Sequence, residues 1–60
     1  MQHTSLKTKS VLVVDDAAFV RNLVIGALKT INITQIKEAS DGRQAYAALQ
    51  NKRFDLIICD

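Results

Sequence analysis

The sequence predicts an α/β fold: a doubly wound parallel sheet with strand order 2-1-3 that breaks off after its third strand. Two observations carry this. Short apolar runs alternate with segments of helical period, giving strand, helix, strand, helix, strand, the pattern of a parallel sheet with crossover helices. The first and last strands are continuously apolar while the middle one is polar. That makes the first and last neighbours and puts the middle strand at an edge.

Each element has its own signal. Residues 1–9 are polar and read as a flexible leader, and residues 10–60 read as the N-terminal half of a single domain. Ser10 opens the first strand, and Val11, Leu12, Val13 and Val14 run on until Asp15 and Asp16 stop them. Over residues 18–31 the period changes. Val20, Leu23, Val24, Ala27, Leu28 and Ile31 form one apolar stripe of a helix, predicted to face the sheet, with Ile25 off it. Asp16 is placed to cap that helix. Gly26 costs a helix about 1 kcal/mol against alanine and so predicts a close approach of helix to sheet. Arg21 falls off the stripe and reads as a solvated first-turn residue. Residues 32–34 form a turn, and residues 35–39 form the polar second strand, where Lys37 and Glu38 keep an edge soluble. Ser40, Asp41 and Gly42 turn the chain into a second helix over residues 43–50, with Asp41 as its cap and Ala45, Ala48 and Leu49 facing inward. Residues 54–59 form the third strand, which ends at Asp60 and holds Cys59 as a small buried hydrophobe. The two helices then cover opposite faces of the sheet.

Composition narrows the function. Among 60 residues there is one cysteine, Cys59, and one histidine, His3, so neither an intrachain disulfide nor a zinc cage can stabilise the fold. No apolar run approaches the roughly 18 residues of a membrane span, and the first ten residues do not form a secretory signal. A cytoplasmic, reducing setting is expected. The net charge of +2 comes from Lys7 and Lys9, since all six acids and the other six basic residues balance. With no basic stripe, direct nucleic-acid binding by this segment is not expected. The apolar Leu56, Ile57 and Ile58 on an open sheet edge predict further strands beyond Asp60 or self-association through the third strand.

In an open parallel sheet, ligands bind beyond the carboxyl ends of the strands where the strand order reverses. Asp15 and Asp16 end the first strand and Asp60 ends the third, so their carboxylates are expected to converge on one cleft. Like charges at close quarters repel, and a hard divalent cation relieves that; magnesium suits a site of one or two carboxylates completed by water and phosphate oxygens. No glycine-rich loop follows the first strand, so a nucleotide phosphate cradle is absent. An acidic metal pocket with a carboxylate able to carry a phosphoryl group remains.

Three motifs together resemble the response-regulator receiver domain, the CheY-like family of two-component signalling: VLVVDD over residues 11–16, EASDG over 38–42, and DLIICD over 55–60. Arg21 also follows the acid pair at a spacing common in that family. The resemblance implies a flavodoxin-like sheet of order 2-1-3-4-5, of which this chain is the first half. It implies Asp60 as the phosphoacceptor, Asp16 as a direct magnesium ligand, Asp15 as a ligand acting mainly through water, and metal contact by Asp60 as well. It further implies a sensor histidine kinase or phosphotransfer protein as phosphodonor in a phosphorelay, and an output domain or downstream protein as receiver of the signal. The family's Ser or Thr after strand four and Lys after strand five would lie beyond Asp60. Such a protein is not an enzyme with a released product; when complete, it catalyses only its own phosphorylation and dephosphorylation. Two other readings compete. A magnesium-dependent aspartate-nucleophile phosphatase usually carries a second Asp two residues after the nucleophile on strand one, where this chain has Ala17 after Asp15 and Ala18 after Asp16. A structural dimerisation module without phosphate chemistry would pair through the third strand.

Overall fold

The computed structural model describes residues 6–60. The first five residues of the leader, including His3, lie outside the described residues. Leu6–Thr8 forms one 3-10 turn, closed by the Lys9 N–H on the Leu6 carbonyl at 3.1 Å. Then follow β1 (Ser10–Val14), α1 (Ala18–Thr30), β2 (Gln35–Ala39), α2 (Gly42–Asn51) and β3 (Leu56–Cys59). The strands form one parallel sheet in the order β2-β1-β3, as predicted.

β1 is the central strand and all five of its residues are buried. Successive side chains of a strand point to opposite faces, and β1 divides its apolar side chains accordingly. Val11 and Val13 pack with Leu28 and Ile33, joined by Val24, Ile25, Ile36 and Ile58. Leu12 and Val14 pack with Ala39 and Ala48, joined by Ala45 and Phe54. The first cluster contains α1 and the second contains α2, so the helices lie on opposite faces.

The rotation of α1 differs from the prediction. Val24 and Leu28 of the expected stripe face the sheet together with Ile25, but Leu23 is 59% exposed and Ile31 is 51% exposed. At about 100° per residue the apolar side chains of this helix, Ile25 included, cover roughly 200° of its circumference. One flat sheet cannot cover so wide an arc. The sector on the sheet is centred between Val24, Ile25 and Leu28, leaving Leu23, Ala27 and Ile31 outward. Gly26 lies on the outside too: a Cβ there would meet nothing within 4 Å, so the predicted close helix–sheet approach does not occur at this residue.

The end of α1 explains why Ile33, expected in a turn, is buried at 6% exposure. Asn32 adopts the left-handed conformation at φ 69°. Its N–H bonds the Lys29 carbonyl at 3.1 Å, and the Ile33 N–H bonds the Leu28 carbonyl at 3.1 Å. This is a Schellman ending, whose signature includes an apolar contact across the cap. Here that contact joins Ile33 and Leu28 in the core. Asparagine tolerates the left-handed region because its short polar side chain can bond locally.

At α2 the prediction holds at the cap. Asp41 Oδ1 accepts the Gln44 N–H at 2.8 Å, and Gln44 Oε1 accepts the Ser40 N–H at 2.9 Å. Two donors at the helix start are thereby satisfied by a reciprocal pair, in the manner of a capping box. Ala45 and Ala48 face the sheet, whereas Leu49 is exposed. β3 starts at Leu56, two residues later than expected. Phe54 turns under α2 with the Lys52 ammonium 5.5 Å from its ring centre, and Asp55 folds back onto Ser10. Leu56 and Ile57 are about half exposed, at 49% and 46%. Among the described residues no helix is long and apolar enough to cross a membrane.

Candidate functional site

The register of β1 with β3 runs from Val11 opposite Leu56 to Val14 opposite Cys59. Continued one step, it sets Asp15 beside Asp60. The Asp60 N–H donates to the Val14 carbonyl at 3.3 Å, which ties the end of β3 to the residue before the acid pair. Asp15 and Asp60 line one shallow cavity of about 270 Å³, walled by Val13, Val20, Val24 and Ile58. A larger groove of about 710 Å³ runs between β2 and α2 and contains none of Asp15, Asp16 and Asp60. The acids make the smaller cavity the candidate site.

Asp15 is held on three sides. Its N–H donates to the Ala39 carbonyl at the end of β2 at 3.1 Å. Its Oδ1 accepts the Ala17 N–H at 2.9 Å. Its carbonyl accepts from Arg21 Nη1 at 2.6 Å. Asp16 is exposed, and no hydrogen bond to its carboxylate is present among the described residues. The predicted cap by Asp16 is not formed. The N-cap position is Ala17, with no side-chain cap bond, because the local turn of Asp15 onto Ala17 takes the amide nearest the acids. Asp16 is thereby left free.

Two residues of this region were not assigned a site role from the sequence. Arg21, expected in solvent, has a side chain only 16% exposed, and its Nε bonds Glu38 Oε1 at 3.0 Å. Glu38, expected only to keep an edge soluble, faces α1 because it pairs with Val13, whose side chain belongs to the α1 layer. The parity of β2 was the signal that could have found it. Cys59, expected to be buried, is an exposed free thiol. It pairs with Val14 on the α2 side of the sheet, where the buried cluster draws on β1, β2 and α2 and takes no residue from β3.

At the opposite end of the strands, Asp55 Oδ2 accepts the Ser10 N–H at 2.8 Å. That backbone hydrogen bond holds the Asp55 carboxyl below its ordinary value, with help from Lys9, the Ser10 hydroxyl and Lys52, while partial desolvation opposes the shift.

Among the described residues no three His, Cys, Asp or Glu side chains are gathered as a metal-ligand group. Magnesium does not require three: one or two carboxylates with several waters suffice. Asp15 and Asp60 supply hard oxygen donors on one open cavity; Asp16, expected to converge with them, is not among the residues that line it and stands exposed one residue after Asp15 with an uncommitted carboxylate. The donor chemistry fits such a cation.

The acids thus stand at the carboxyl ends of the central strand β1 and its neighbour β3, where open parallel α/β sheets bind their ligands. Residues 11–60 match the model of the response regulator receiver domain. The chain belongs to that family, and with it to two-component signalling in general. It is similar to a gliding motility regulatory protein of Myxococcus xanthus, 39% identical over 59 residues, which cover 98% of this chain and 8% of that protein. The chain thus spans less than a tenth of that relative's length. No solved structure matches significantly.

Proposed function

We propose that this chain carries the phosphoacceptor of a receiver, with Asp60 taking a phosphoryl group from phosphohistidine of a histidine kinase or phosphotransfer protein. The observation that carries the reading is the placement of Asp60 beside Asp15 at one cavity where β1 and β3 end. An Asp60 carboxylate oxygen attacks phosphorus in line. The oxygen–phosphorus bond forms, the phosphorus–nitrogen bond breaks, and the electron pair leaves with the imidazole. Asp15, Asp16 and Asp60 would hold magnesium, which when bound neutralises charge on the phosphoryl oxygens. Asp16 suits direct ligation because its carboxylate is uncommitted, and Asp15 suits a role through water because Oδ1 already holds the Ala17 amide. The output is a change in charge at the sheet end, read by an output domain or downstream protein, rather than a released product. The family and the regulatory name of the relative support a switch over a metabolic enzyme.

The test is intact-mass analysis of the full-length protein treated with a small acyl phosphate donor, with and without magnesium. Wild type gains one phosphoryl group only with the metal, and the adduct is labile to hydroxylamine. D60N keeps the size of the side chain but lacks the anionic nucleophile and gains none. D60E moves the carboxylate by about one methylene, enough to spoil a site where about 1 Å matters. A stable adduct on D60N, or none on folded wild type, overturns the reading.

A further inference from the structure

We propose that Arg21 is a positioning residue for the acid pair, held in place by Glu38, so that α1 and β2 together fix the backbone from which the Asp15 and Asp16 side chains leave. The inference rests on the receiver reading above for its functional meaning, but its geometry stands in the metal-free protein. A peptide group is planar, so the Asp15 carbonyl and the Asp16 amide move as one plate. Arg21 Nη1 grips that plate at the Asp15 oxygen at 2.6 Å. The Arg21 Nε donates to Glu38 Oε1 at 3.0 Å, and the side chain is only 16% exposed. The guanidinium is a rigid fork whose donors are fixed relative to each other. Anchoring one prong on β2 therefore fixes the other prong on the plate between the two acids. The Asp15 N–H, bonded to the Ala39 carbonyl, pins the plate's preceding residue to the same strand. Asp15 Oδ1 on the Ala17 N–H closes the turn from the other side. With these four bonds in place, the backbone from which the free carboxylate of Asp16 departs is fixed.

A bystander charge makes the opposite prediction. A cation near carboxylates repels magnesium, so removing it would tighten metal binding if charge were all that Arg21 supplied. Positioning requires the reverse, and it also requires that lysine fail to replace arginine. Lysine keeps the charge, but its single nitrogen cannot hold both Glu38 and the Asp15 carbonyl in the geometry of the fork.

The experiment compares full-length wild type, R21A, R21K and E38Q by two readouts. In metal-free protein, amide hydrogen exchange is measured at Ala17, with Leu12 of β1 as the control for global stability. Magnesium affinity is measured by titration calorimetry. In R21A and R21K, exchange at Ala17 rises about fivefold or more while Leu12 is unchanged. Magnesium affinity falls by roughly 10- to 100-fold in both, the usual effect of losing an outer partner of a ligand. E38Q keeps an acceptor and loses a charge, so it falls between wild type and R21K. Tighter magnesium binding in R21A, or an R21K protein equal to wild type in both readouts, overturns the proposal; an E38Q protein equal to wild type overturns the part assigned to Glu38. If wild type itself binds no magnesium, the metal reading of the site fails, and exchange at Ala17 alone still upholds or overturns the positioning role.

Discussion

Ile31 and Ile33 stand two residues apart at the end of α1, and periodicity and structure assign the core to different ones. The helical period places Ile31 inward and Ile33 in a turn; the structure leaves Ile31 51% exposed and buries Ile33 to 6%. Truncation to alanine removes three carbons from either side chain. At about 0.8 kcal/mol per buried carbon group, I33A loses about 2.4 kcal/mol of transfer energy. The void left between Val11, Val13 and Leu28 raises the cost to about 3 kcal/mol, within the usual range for such a deletion. For I31A roughly half the transfer term applies and no cavity opens, so the cost is about 1 kcal/mol. Urea denaturation of the full-length protein measures both. With a slope of about 1 kcal/mol per molar urea, I33A lowers the midpoint by roughly 3 M and I31A by roughly 1 M. Should I33A be too unstable to purify, I33V costs about 1 kcal/mol and is measured instead against I31V, which is nearly neutral. An I31A cost equal to or above that of I33A would refute the assignment of the core to the Schellman ending.

Two further outcomes follow from the two ends of the strands. In magnesium titrations of the full-length protein, D16A weakens binding at least tenfold and more than D15A does, because the Asp16 carboxylate is uncommitted while Asp15 Oδ1 is bonded to Ala17. D55A, at the far end of β3, leaves affinity unchanged, and equal affinity in wild type and D16A refutes the ligand assignment. Asp55 has a folded-state pKa below its unfolded one, so its contribution to stability is present above the unfolded value and is lost as pH falls through the folded value. Wild type therefore loses more stability than D55N between pH 5 and about pH 3 in parallel urea melts, and identical losses would show that the Ser10 bond does not shift this carboxyl.

The sequence by itself determined the element order, the strand order and the ends of the strands on which the acids sit. Those features depend on patterns that are local in the chain. The unbroken apolar character of residues 11–14 and the polar Lys37 and Glu38 suffice to rank strands from centre to edge, and Asp41 before Gly42 marks the cap of α2, to which the structure adds Gln44 as partner. The acids of the site were legible because they end strands, and strand ends are visible as breaks in apolar runs. What only the tertiary structure decided was which part of a wide apolar arc met the sheet, since Leu23, Ile25 and Ile31 are equally apolar and the choice belongs to the surface they pack on. It also decided that Ile33 is core, because a left-handed Asn32 returns the chain to α1. The joining of Arg21 to Glu38 and to the Asp15 carbonyl depends on bringing β2 against β1 beneath α1. A guanidinium acquires a role only from the acceptors around it, and residues distant in the chain supply one of those here.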